Sequence, residues 1–140
     1  MKKIVLTSIT LCFLIVGCNQ TKKVVVDTPK SLLSGIFTVI TIYGEDISSS
    51  AVLQFNKADK KIWGNAGCND FAGTYTQNAG SLNIGQLSST KAYCEGAMKN
   101  EYAIQKVLRN VGSFDISNGN LTLYSVTEKK PLLTAIKNKE

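Results

Sequence analysis

Residues 64–94, GNAGCNDFAGTYTQNAGSLNIGQLSSTKAYC, decide how the rest of this chain is read. Two short runs inside it alternate in the manner of paired strands. Phe71, Gly73 and Tyr75 fall on one face of the first, Leu82 and Ile84 on one face of the second, and residues 77–80 supply the turn between them. Gly64, Gly67, Gly73, Gly80 and Gly85 are spaced too irregularly for a phosphate loop, but they suit strand ends, bulges and tight turns. The stretch opens on Cys68 beside Asn69 and Asp70, and closes on Ser89, Thr90 and Cys94.

The neighbouring segments repeat the period of two. Residues 32–44 read as a strand with Phe37, Val39 and Thr41 on one face and Ile36, Ile40 and Ile42 on the other, as though covered on both sides for part of its length. Residues 45–50 read as a polar loop, and residues 51–56 point Ala51, Leu53 and Phe55 inward and turn through residues 56–60 into a partner strand at 61–64. From Ala97 the period lengthens: Ala97, Ile104, Val107, Leu108 and Val111 share one helical face, with Glu95 and Arg109 suited to the helix dipole and Gly112 as the expected stop. Phe114 and Ile116, then Asn118-Gly119, then Leu121 and Leu123 form the clearest hairpin, because Asn-Gly accepts the positive backbone angles of a type I′ turn. A last strand is expected at 132–136. The fold class is therefore α+β: a strongly curved antiparallel sheet or partly open barrel of seven or eight strands, with one packed helix.

The amino terminus carries an address. Lys2-Lys3 precedes an apolar run at 4–16, too short to span a bilayer and the right size for a signal-peptide core. Ile15-Val16-Gly17-Cys18 resembles the bacterial lipobox, which makes residues 1–17 a lipoprotein signal peptide and Cys18 the acylated first residue of the mature chain. Residues 18–31 then serve as a lipidated tether with a reach of roughly 40 Å when extended. Residues 32–140 form the domain, and Val24-Val25-Val26 in the tether is an expected edge strand. The membrane, reached through acylated Cys18, is the first expected partner, and the expected location is the cell envelope, facing the periplasm or exterior. A monomer is expected.

The net charge of +6 falls to an excess of about four once Lys2 and Lys3 leave, and Arg109 is the one arginine, so the lysines read as solvated turns, with weak attraction to anionic lipid as the minor reading, and no nucleic-acid surface is expected. The chain has no histidine, which removes Ser-His and Cys-His nucleophiles and the commonest zinc ligand. No motif brings two carboxylates together, and no nucleotide-binding glycine pattern occurs. No catalytic residue, cofactor or metal is expected. Cys68 and Cys94 are readable as a structural disulfide or as two buried thiols in adjacent strands, and in a minority reading as redox or metal-binding thiols. Asn69, Asp70 and Thr90 are candidates for turn-shaping bonds or ligand contacts. Trp63, Tyr75, Tyr93 and Tyr102 are candidates for core or rim packing or for lining a groove, and Glu101 sits at the edge of the helix's apolar face.

In order and spacing, Gly67-Cys68-Asn69, Phe71, Gly73, Tyr75, Leu82, Ile84, Ser89-Thr90 and Cys94, followed by Glu101, Leu108 and Leu121-Thr122-Leu123, are similar to the META domain, the HslJ-like heat-shock family. The similarity runs from about Gly35 onward. Phe37 replaces the family's early Trp, and Thr90-Lys91-Ala92-Tyr93-Cys94 departs from its usual Thr-Arg-Met/Ala-x-Cys. The resemblance implies involvement in envelope stress or tolerance of toxic compounds, without implying an activity. Three roles follow as expectations: a binding or assembly module for an envelope protein or peptide, an inhibitor of an envelope hydrolase through the turn at 77–80 or 57–61, and a thiol sensor at Cys68 or Cys94.

Overall fold

The computed structural model describes residues 32–47 and 50–139; the expected signal segment, Cys18, the expected tether and Val24-Val25-Val26 lie outside the described residues. The elements are β1 (Gly35–Ile42), β2 (Glu45–Asp46), β3 (Val52–Asn56), β4 (Lys61–Asn65), β5 (Asp70–Asn78), β6 (Ser81–Ile84), β7 (Ser88–Ser89), α1 (Met98–Asn110), β8 (Val111–Ser117), β9 (Asn120–Ser125) and β10 (Pro131–Lys137). Eight of the strands run antiparallel in the ring β1-β3-β4-β5-β6-β8-β9-β10, and β10 pairs back onto β1, so the sheet closes into a barrel. The two-residue β2 and β7 sit alongside β1 and β5.

Eight strands enclose a space that side chains just fill. Phe37, Phe55 and Tyr75 occupy its centre in edge-to-face contact, with ring centroids 6.1 Å and 5.3 Å apart, the geometry that aromatic quadrupoles favour. Leu53, Ile62, Leu121, Leu123 and Leu133 surround them, all buried. The antiparallel order puts the β3–β4, β5–β6 and β8–β9 turns at one end of the barrel, with the start of β1 and the finish of β10. The longer connections lie at the other end. There α1 turns Ile104, Val107 and Leu108 into the same core and closes the opening. Leu33, fully buried, belongs to the core at the turn end; its N–H donates to Gln77 Oε1 at 2.9 Å, and its carbonyl accepts from Tyr75 Oη at 2.9 Å.

Both short turns at Ala79-Gly80 and Asn118-Gly119 place two successive residues at positive φ, at 45° and 86° and at 50° and 79°. The second is the turn that Asn-Gly specifies, and Ser117 faces Asn120 across it.

Three expectations need correction. β1 is not covered on both faces: a bulge between Val39 and Thr41 shifts its register, so Phe37, Val39 and Ile42 are all buried while Ile36 and Ile40 are exposed. Residues 45–46 form β2 instead of a plain loop. Gly112 does not stop the helix, which ends at Asn110; it lies inside β8, where an added Cβ would sit 2.5 Å from Val126 Cα. Val126 N–H meanwhile donates to the Asn110 carbonyl at the helix exit.

Candidate functional site

Asn69, in the β4–β5 connection, is buried, and every polar atom of its side chain is engaged. Its amide nitrogen donates to Glu101 Oε1 at 3.1 Å, to Glu101 Oε2 at 2.9 Å and to the Ala92 carbonyl at 2.9 Å. Its amide oxygen accepts from Thr90 Oγ1 at 2.8 Å and from Ala92 N–H at 2.7 Å. The Asn69 backbone N–H adds a bond to Glu101 Oε2 at 3.2 Å, while Gln105 reaches Glu101 Oε1 at 3.4 Å. Thr90 Oγ1 accepts from Asp70 N–H at 3.2 Å. The Cys68–Cys94 disulfide crosses the same junction with a sequence separation of 26.

The candidate residues Asn69, Thr90, Cys68 and Cys94 therefore come together as a clasp joining the β4–β5 connection, the segment after β7 and α1. The buried Glu101 carboxylate is held by donors instead of facing solvent, as burial of such a group requires. Saturated in this way, Asn69 has no polar atom to offer a ligand. Cys68 and Cys94 lie in connections, not in adjacent strands, and as a disulfide they supply no thiol.

Asp70 faces outward. Its Oδ1 accepts from Asn65 Nδ2 at 2.7 Å, and Asn65 Oδ1 accepts from Gly67 N–H at 2.8 Å, so the carboxylate is fixed on the outer wall. It forms one border of a groove of about 650 Å³ over β3, β4 and β5. Across that wall Gln54, Trp63, Ala72 and Ser88 stand opposite one another in register. The small Ala72 leaves one side of the half-buried Trp63 indole open, and Asn65, Asp70, Ser88 and Thr90 make the polar border. Inside the wall, Gly64 admits the Phe71 ring: an added Cβ would lie 2.3 Å from Phe71 Cζ and 2.6 Å from the Val52 carbonyl oxygen.

The aromatic residues do not gather as a single groove. Trp63 lines the groove, Tyr75 is in the core, and Tyr93 and Tyr102 are exposed elsewhere. Burial raises the Tyr75 hydroxyl above its ordinary pKa, because the phenolate would lose solvation in the packed interior. Among the described residues no group of three His, Cys, Asp or Glu side chains is placed to hold a metal, and no helix is long and apolar enough to cross a membrane. Sequence reasoning missed the Asn69–Glu101 pairing. Its signal was a carboxylate on the apolar side of a helix, which needs a buried donor.

Comparison with known proteins supports this architecture. A protein solved by NMR has 24% sequence identity and a TM-score of 0.61, with 79% of this chain and 94% of that one covered. A second NMR structure, from Burkholderia xenovorans, has 16% identity and a TM-score of 0.63, with 81% and 92% covered. A DUF4847 family protein from Bacteroides vulgatus ATCC 8482 has 19% identity and a TM-score of 0.52, with 76% and 94% covered. At these identities the likeness is one of fold. No curated protein matches the sequence. The family model of the META domain matches residues 30–139, and the chain belongs to that family.

Proposed function

We propose that this chain is a lipid-anchored cell-envelope protein whose META domain acts as a non-catalytic binding or assembly module, linked to envelope stress or tolerance of toxic compounds. The observation that carries this reading is the outer groove at Trp63. The barrel interior is filled by its own side chains, so recognition falls to the outside, where the chain's one tryptophan stands half-buried above a small residue and beside polar groups fixed in place. The groove follows strands β3 to β5, and its volume suits an extended segment of an envelope protein, with Trp63 as the aromatic anchor. Lipidation at Cys18 keeps the module at the membrane.

The inhibitor reading draws less support. Gln77, at one of the two turns it would use, spends its side chain on Leu33 N–H.

A photo-crosslinking residue at Gln54 in intact cells tests the groove. The expected result is a defined adduct that Trp63→Ala abolishes while the protein stays folded; an adduct pattern equal to that from Asn120 on the far wall sinks the reading. Cys18→Ser is expected to leave the product soluble or unprocessed, as read by membrane fractionation.

A further inference from the structure

Of the exposed large apolar side chains, four lie on one part of the barrel. Leu32 (65% exposed) precedes β1, Ile36 (39%) and Ile40 (38%) project from the outer side of β1, and Ile136 (50%) projects from β10. Thr38 pairs with Ile136, and Asn138 N–H donates to the Ile36 carbonyl, which makes Ile36 and Ile136 diagonal neighbours on the outer wall. Thr38 Oγ1 and Asn138 Oδ1 bond to each other between them at 2.8 Å, leaving the aliphatic groups to define the patch.

Exposed lysines border the same end. Lys137 lies across Gly35, where an added Cβ would meet Lys137 Cε at 2.7 Å, and Lys139 follows. Gly35 pairs with Phe55, so the β3–β4 turn with Lys57, Lys60 and Lys61 stands immediately alongside. Asp59 is the acid on that turn, and Asp115 lies on β8 farther round. The chain also enters here: 31 residues precede Leu32, and Leu33 is pinned at this end.

We propose that the turn end of the β1–β10 wall, with Leu32, Ile36, Ile136 and the lysine border, lies against an anionic lipid surface, which would stand the barrel with its helix end, and the disulfide, away from the bilayer. Exposed aliphatics bordered by lysines at the point where the tether leaves match the two attractions of an anionic bilayer, apolar and electrostatic. The inference rests on the lipid-anchor reading for its setting, but its surface can be tested without acylation.

The test uses the mature chain, residues 18–140, with Cys18→Ser, mixed with vesicles of phosphatidylcholine alone or with equal parts phosphatidylglycerol, and reads partition by co-sedimentation. The expected result is a preference for the anionic vesicles that Lys137→Gln with Lys139→Gln lowers roughly fivefold for each charge removed. Lys91→Gln with Lys99→Gln, at the helix end, is expected to leave it unchanged, because those positions face away. Ile36→Thr with Ile136→Thr is expected to weaken binding to both vesicle types. Equal partition of the parent between the two compositions overturns the proposal, as does an equal loss from the helix-end pair. A monomer–dimer shift on changing the isoleucines, with partition unaltered, assigns the wall to a second copy of the chain and also overturns it. Metabolic acyl labelling of the unsubstituted chain reads the anchor separately, so the two failures are distinguishable.

Discussion

The Asn69 side-chain amide donates to both carboxylate oxygens of Glu101, at 2.9 Å and 3.1 Å, across 32 residues of sequence. The pair ties α1 to the β4–β5 connection beside the apolar packing of Ile104, Val107 and Leu108, while the Asn69 oxygen is committed to Thr90 and Ala92. Asn69→Ala strips a buried carboxylate of its principal donors and is expected to cost about 3 kcal/mol, with a coupling of about 2 kcal/mol to Glu101→Ala in a double-mutant cycle. Urea unfolding of the four proteins measures both. Additive effects would show that the two side chains do not act as a unit.

Tyr75 ties stability to alkaline pH. Its folded-state pKa is raised by burial above the unfolded value near 10, so the stability contributed by its protonated form is complete below about pH 10 and falls as pH rises through the folded-state value. Tyr75→Phe is expected to cost about 1 kcal/mol at neutral pH, through the lost bond to the Leu33 carbonyl, and to flatten the fall in stability above pH 10. Denaturant midpoints between pH 7 and pH 11 for the two proteins check the difference.

Removing the Cys68–Cys94 link frees a loop of 26 residues in the unfolded chain, which the chain-entropy account equates with about 3.5 kcal/mol. Cys68→Ser with Cys94→Ser is expected to lower the urea midpoint accordingly. Amide exchange should quicken first in the segment following β7 and in the first turn of α1, where the clasp loses its covalent member.

Gly64→Ala forces a methyl group against the Phe71 ring and the Val52 carbonyl. Overpacking there is expected to destabilise the domain by about 2 kcal/mol, whereas Gly44→Ala, where nothing lies within 4 Å, pays only for its positive φ of 84°, about 1 kcal/mol. Thermal melts of both substitutions separate the two causes, and equal losses would remove the steric explanation.

Local chemistry explains which parts of the fold were legible beforehand. Asn118-Gly119 dictates its own turn, alternation in residues 51–56 points Leu53 and Phe55 inward, and alternation in residues 71–75 puts Phe71 and Tyr75 on one shared face, which the structure buries. The β1 bulge was hidden, because one inserted residue reverses the faces of everything beyond it and leaves no mark in composition. Closure of the barrel was hidden too, since the Phe37–Lys137 pairing has no local signal at either end. At the candidate site, Asn69 and Thr90 were singled out for the right neighbourhood: burial makes Asn69 a fastening where a ligand contact had been a candidate, while the exposed Thr90 bonds to Asn69 and also borders the groove. Trp63 was legible as an aromatic of interest, yet its companions were not: its groove depends on Ala72 and Ser88 arriving beside it from other strands.

The pairing of β1 with β10 has a consequence for the life of the molecule. A wall whose first and last staves must meet cannot be finished until β10 is free to reach β1. Such contacts between distant parts of the chain form slowly, in milliseconds to seconds. Until that pairing forms, the aliphatic strands of the open sheet need sheltering from one another.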